Sequence, residues 1–347
     1  MTTGGSERSI KLALHTFSYE QHFLHKPGFD AHRFLAKASE RAMAGVHISL
    51  NGYQFRCAGG TTPGRLEEIG ADARERGFFV ECDTSGTDPS HLAQLAKAAR
   101  QLGADRLRTY TRHTGSPDRV RDATVTDLKA AAPRIADEGI DLLLENHEDF
   151  TGQEVCDILD SVAHPAVAAL YDFGNSMNVA EEPMDAAKAM ARHVRSVHLK
   201  DHAVVTGDDG ENMIAGVTNG SGTIAIAKIL EFLVDEAGLE RVCIESSYGY
   251  CSKVTRNQKQ FDAASRTNPT FKPSPVPFDR TTVLLDADAL YRRDPDALFD
   301  LEESAVARGI AHTRQILEEL GFQPHRNGRG GVYHRGGRGL AFAQRHG

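Results

Sequence analysis

Short apolar runs recur along the chain, each closing on polar residues and each followed by a polar or helically spaced stretch. The clearest is Leu142-Leu143-Leu144, which runs into Glu145, Asn146, His147, Glu148 and Asp149. Three consecutive aliphatic residues fit a strand covered on both faces. The same form appears at Ile10–His15, Gly45–Leu50, Phe78–Cys82, Arg106–Tyr110, Val167–Tyr171, Val194–Val197 and Arg241–Ile244. Between them lie stretches of helical period, such as Ala31–Arg41 with Phe34, Leu35 and Ala38 on one face. Thr62 and Pro63 are expected to open a second helix, Asp88-Pro89-Ser90 a third, and Thr126–Glu138, Thr151–Val162, Pro183–His193 and Ile224–Ala237 are expected to be helical. Eight strand-like runs alternating with connections of this kind predict an α/β fold, a (β/α)8 TIM barrel, with a doubly wound sheet as the alternative.

After the last strand the pattern changes. Ser252–Arg280 holds four prolines and few aliphatic residues, and Thr206–Gly222, earlier in the chain, reads as a polar, Gly-rich loop. Helical spacing returns at Leu301–Leu320, expected to be the eighth barrel helix. Residues 1–347 are therefore expected to form a single barrel domain. Residues 246–300 are then a long insertion between strand 8 and helix 8, serving as a lid or a subunit interface, and the Arg- and Gly-rich stretch 326–347 is expected to be a mobile tail.

Composition narrows the functional classes. A net charge of -8 argues against a nucleic-acid partner. No apolar run approaches a membrane span and no secretory leader is evident, so a cytoplasmic protein with no membrane partner is expected. The five cysteines form no C-x-x-C pair, which disfavours a disulfide framework or a thiolate zinc site. No dinucleotide fingerprint or Walker loop follows any strand, so neither nicotinamide nor ATP is expected.

Four consecutive strand ends carry metal-ligating residues: Glu145, Asp172, His198 and Glu245. In a parallel barrel such ends share one face. Three carboxylates and one imidazole suit one divalent metal, Mn²⁺ foremost, with Mg²⁺, Co²⁺, Fe²⁺ and Zn²⁺ as alternatives. Any one of these residues alone would be read as a helix cap or a surface ion pair. His147 is a candidate general base or, equally, a partner holding a ligand. Lys200, two residues past His198 on the same strand side, either neutralises an enolate oxygen or pairs with Asp172 or Glu145. His15, Asn51, Arg108, Asn175 and Asn178 are candidate substrate contacts near other strand ends.

The segments LLLENHED, YDFGNSMNVAEEP, VRSVHLKDH and VCIESSYGY resemble the sugar phosphate isomerase/epimerase superfamily, the xylose-isomerase-like barrels, over about residues 10–250. The resemblance implies a metal held by Glu145, Asp172, His198 and Glu245, with Glu145 and Glu245 as an acid/base pair acting on a sugar or keto-sugar. Ketose epimerases carry a His shortly after the metal Asp, where this chain has Gly174-Asn175. The ENH-x-D, DxxNS and HLKD combination is closer to the catalytic subunits of C-glycoside deglycosidases. That likeness implies a lyase cleaving 3-oxo-C-glycosides, an oligomer and a small second subunit. The expected activity is thus that of a metal-dependent isomerase or epimerase, with the lyase and a noncatalytic sugar-binding or assembly subunit as alternatives. A repair endonuclease on the same barrel would need further His ligands for a metal cluster.

Overall fold

The computed structural model describes residues 8–207, 210–275, 279–325 and 330–336. Eight parallel strands close into a barrel: β1 (Arg8–His15), β2 (Gly45–Ser49), β3 (Phe79–Asp83), β4 (Ala104–Thr109), β5 (Asp141–Glu145), β6 (Val167–Asp172), β7 (Val194–Leu199) and, after a hairpin of β8 (Asp201–Thr206) and β9 (Asn212–Val217), β10 (Arg241–Ile244). The last strand pairs with both β7 and β1, with Leu12 opposite Val242, and this closes the ring. The (β/α)8 expectation is met.

Period-two alternation explains how hydrophobic strands carry chemistry. On β5 and β6, Leu142, Leu144, Val167, Ala169 and Tyr171 join the large core between barrel and helices. The alternating set, Leu143, Ala168 and Leu170, forms a separate small cluster on the inner side. The inner side also carries a polar layer. Glu81 accepts from Ser196 Oγ at 2.7 Å, Arg106 at 3.1 Å and Arg241 at 3.0 Å. These bonds offset the cost of placing a carboxylate inside the barrel.

The helix termini follow their capping residues. Asp88 accepts from His91 N ahead of the helix Pro89–Gln101, and Thr151 with Glu154 forms a reciprocal capping box ahead of Gly152–Val162. The helix expected from Thr126 begins at Pro117, capped by Ser116, because Val120 and Thr124 continue its buried face. The helix expected to open at Thr62-Pro63 instead starts at Arg65 behind left-handed Gly64.

The stretch read as a loop, Thr206–Gly222, contains β9, and β8 and β9 form a hairpin extended by β11 (Cys251–Lys253). Gly216 in β9 is there for space: a side chain would collide with Ser247. Composition masked this strand, whereas Ile214, Ala215 and Val217 are fully buried by its partners. Within the insertion, Gln258–Thr267 and Ala287–Arg293 are helical. Arg256 pairs with both oxygens of Glu154 at 2.8 and 2.9 Å, and Asn268 and Thr270 bond Glu182 at 2.7 and 2.9 Å. The closing helix runs Pro295–Glu319, six residues earlier than its apolar spacing suggested, capped by Asp294.

Part of the expected tail is a strand. β12 (Gln323–Pro324) pairs with β13 (Val332–Arg335), which lies antiparallel on the first half of β1, with Ile10 opposite Tyr333. Residues 326–329 and 337–347 of that stretch lie outside the described residues. Among the described residues, no helix is long and apolar enough to cross a membrane.

Candidate metal centre and the cavity above it

The C-terminal ends of β5, β6, β7 and β10 bring four side chains to one point. His198 Nδ1 lies 3.0 Å from Glu145 Oε1, 2.7 Å from Glu245 Oε2 and 3.9 Å from Asp172 Oδ2. All four residues are buried. Both Glu145 oxygens, Asp172 Oδ2, Glu245 Oε2 and His198 Nδ1 lack a hydrogen-bond partner of acceptable geometry. Buried polar groups are rarely left this way. Orphaned lone pairs converging from three carboxylates and an imidazole fit a divalent cation.

Backbone placement here follows from Asn146 and Asp172. Asn146 accepts from Asp172 N at 2.7 Å and donates to Asp172 O at 3.0 Å, which locks the ends of β5 and β6 together. Asp172 Oδ1 accepts from Gly174 N and Asn175 N, turning the chain and leaving Oδ2 to face the centre. Lys200 Nζ lies 2.9 Å from Asp172 Oδ2 and 3.2 Å from Glu245 Oε1. Arg108 Nη2 lies 3.0 Å from Glu145 Oε1.

Burial and charge set the protonation pattern. Burial raises the Glu145 carboxyl, but Arg108 and His198 outweigh it and hold it down at about 2. Burial lifts Asp172 to about 6 against the pull of Lys200. Burial depresses His198, yet Glu245 and Glu145 carry it up to about 9. Burial, helped by Arg108 and Lys200, outweighs the pull of Glu145 and holds His147 neutral, down at about 3.

Above the centre opens a cavity of about 460 Å³. It is lined by His15, Asn51, Arg108, His147, Asn175, Lys200 and Glu245, so these candidates are brought together. Glu245 is the one member of the quartet on the cavity wall; Glu145, Asp172 and His198 lie beneath. Asn178 is elsewhere: its Nδ2 donates to Ser252 Oγ at 2.6 Å and to Lys253 O, fastening the insertion. The His147 ring stacks on Tyr110 with centroids 3.7 Å apart. Tyr250, from the insertion, reaches Glu148 and lines the same cavity.

Sequence reasoning named His15 and Asn51 but missed His47 and Asp83, which join them to His198 in a second row. His198 Nε2 lies 3.2 Å from His47 Nδ1, and His47 Nε2 lies 3.7 Å from Asp83 Oδ2. Asp83 Oδ2 in turn bonds His15 Nε2 at 2.7 Å, while Ser49 and Asn51 donate to its other oxygen. Phe17 N donates to His15 Nδ1, so the His15 proton sits on Nε2. His15, His47 and His198 also make a second group whose ligand atoms lie close enough to hold a metal. The available signal was alternation on β2 and β3: His47, Glu81 and Asp83 are polar positions inside apolar runs.

A family profile for xylose isomerase-like TIM barrels matches residues 28–262. The Escherichia coli protein YihM, itself uncharacterised, is 26% identical over 288 residues, covering 82% of this chain and 84% of that protein. A 3-oxo-isoapionate decarboxylase of Pectobacterium atrosepticum is 28% identical over 143 residues, covering 41% of this chain and 51% of that enzyme. D-psicose 3-epimerase of Clostridium cellulolyticum, solved with D-tagatose, superposes with a TM-score of 0.58 at 13% identity, covering 89% of this chain and 99% of that one. At that identity the likeness is one of fold.

Proposed function

The chain belongs to the xylose isomerase-like TIM barrel family, and from that premise we propose that it is a divalent-metal-dependent enzyme that removes the proton next to the ketone of a sugar or keto-sugar. The observation that carries the reading is the set of buried ligand atoms of Glu145, Asp172, His198 and Glu245 without hydrogen-bond partners, beside a sugar-sized cavity. Those four residues would hold the ion, Mn²⁺ by preference. When bound there it polarises a carbonyl oxygen as a Lewis acid.

The chain's own groups divide the remaining work. Glu245 faces the cavity and is held ionised, since Lys200 and His198 outweigh the effect of its burial. It is the assigned base: its carboxylate takes the proton from the carbon beside the ketone, and the electron pair moves onto the carbonyl oxygen. Burial opposes the charge on Lys200, but Asp172 and Glu245 keep it protonated, so its ammonium can face that oxygen. Glu145 is held behind Arg108 and positions rather than reacts. His147, neutral and stacked on Tyr110, shapes the wall. Proton return to the same carbon gives epimerisation, and return to its neighbour gives isomerisation.

A second reading, the lyase, is favoured by one feature. An epimerase works on two faces of one carbon, yet a single quartet carboxylate lines this cavity. With one base, the same electron pair returns to expel a group β to the ketone, which takes up a proton as it leaves, as in cleavage of a 3-oxo-C-glycoside with a small second subunit.

The test is hydrogen exchange. Metal-loaded protein incubated with a panel of ketoses, 3-oxo-glycosides and 3-oxo sugar acids in deuterated water should wash deuterium into the carbon beside the ketone of its substrate. Turnover without exchange, with the hydrogen carried between adjacent carbons, would replace proton removal by a hydride shift.

A further inference from the structure

Resting on that reading, we propose that the substrate carries a carboxylate at the end remote from the ketone, and that Arg112 binds it. The sequence Arg108-Thr109-Tyr110-Thr111-Arg112 leaves the barrel as an extended segment. Thr84 N bonds Arg108 O and Gly86 N bonds Tyr110 O, each at 2.8 Å, so the alternation of β4 continues upward. Arg108, Tyr110 and Arg112 therefore share one side. The guanidinium carbons lie 5.0 and 5.2 Å from the Tyr110 ring centre, within cation–π range. All three line the cavity, and Arg108, at Glu145, marks its lower end.

Charge pairing singles out the top of this ladder. Among the lining cations, Arg56 has Glu20 at 3.6 Å, Arg108 has Glu145 at 3.0 Å, and Lys200 has Asp172 at 2.9 Å. Arg112 is exposed and, among the described residues, forms no ion pair within 4.0 Å, the Asp149 carboxyl being the acidic group that feels its charge. The lining carboxylate without a cation, Glu148, accepts a hydrogen bond from the Tyr250 hydroxyl. Deeper in the cavity, Arg108 Nε is buried without a hydrogen-bond partner, although the residue is only 7% exposed. One unpaired guanidinium balances one negative charge, and its planar fork matches a carboxylate. A phosphate dianion would ask for a second free cation.

Three ligands that share a C2 ketone and differ at C6 separate the cases: D-fructose, D-fructuronate and D-fructose 6-phosphate. Calorimetric titration is run on Mn²⁺-loaded and on chelator-treated protein, for wild type and Arg112→Gln. Fructuronate should bind wild type at least about tenfold more tightly than fructose, the scale of a charge-assisted pair. Arg112→Gln should bring the two within about twofold while Mn²⁺ affinity stays the same. Equal affinities in wild type, a preference that survives in Arg112→Gln, or tighter binding of fructose 6-phosphate than of fructuronate would each overturn the assignment. Failure to bind Mn²⁺ would instead break the metal reading, and the chelator-treated arm would still measure the carboxylate preference.

Discussion

His47 offers a test of the proposed metal centre that leaves its four proposed ligands in place. With a metal on His198 Nδ1, the ring proton sits on Nε2 and points at His47 Nδ1, 3.2 Å away. Burial keeps the His47 ring neutral, helped by the neighbouring imidazoles of His15 and His198, so Nδ1 can accept. Outer partners of this kind orient a ligand and raise its basicity, and losing one costs about 10- to 100-fold in metal affinity. That range corresponds to about 1.4–2.7 kcal/mol. His47→Leu removes the acceptor at similar volume and should weaken Mn²⁺ binding by that factor. His47→Asn returns an oxygen near the position of Nδ1 and should recover most of the loss. Mn²⁺ dissociation constants and stoichiometry, measured by calorimetry on variants whose urea midpoints match wild type, decide the matter. Equal affinity in all three proteins would refute the reasoning. So would a fall from two ions to one in His47→Leu, since His15, His47 and His198 would then be holding a second metal.

Other expectations follow from the same contacts. Glu245→Gln should slow exchange of the substrate hydrogen by about 10²- to 10⁴-fold, read by NMR in deuterated water. Lys200→Met removes an ammonium 2.9 Å from Asp172 and 3.2 Å from Glu245, so it should tighten metal binding severalfold while lowering turnover, a split that titration and kinetics separate. Glu302 on the closing helix accepts from Gln21 N, His22 N and His22 Nδ1, so Glu302→Ala should cost about 3 kcal/mol in urea unfolding by orphaning buried donors. Burial raises the Glu154 carboxyl, but hydrogen bonds from Arg256 and Thr151 bring it below its usual range. Its hold on the insertion is thus complete at neutral pH and lost as pH falls through the carboxylate range. Hydrogen exchange at residues 250–257, corrected for intrinsic rates, should rise below about pH 4.5 in wild type and be high throughout in Arg256→Gln.

Much of this protein was legible in its sequence because the information is local. Apolar runs separated by capped helices specify the barrel strands, and Asp88 and Thr151 sit where the helix starts need them. The ligand types at four successive strand ends are likewise a one-dimensional pattern, since parallel strands deliver their C-terminal ends to one face. What tertiary structure alone decided is which of those groups meet, and in what charge state. His47 and Asp83 sit in the middle or at the end of ordinary-looking strands, and closure of β10 onto β1 is what sets them beside His198 and His15. Arg108 was a bare candidate until the fold set it 3.0 Å from Glu145, while Glu245 lines the cavity. Asn178 looked like a sugar contact by proximity in sequence to Asp172, but the short helical turn Asn175–Val179 carries it to the insertion instead. The strands β8, β9 and β13 are short apolar runs set among polar, Gly-rich neighbours, and pairing with β11 for β9 and with β1 for β13 is what the sequence alone did not show.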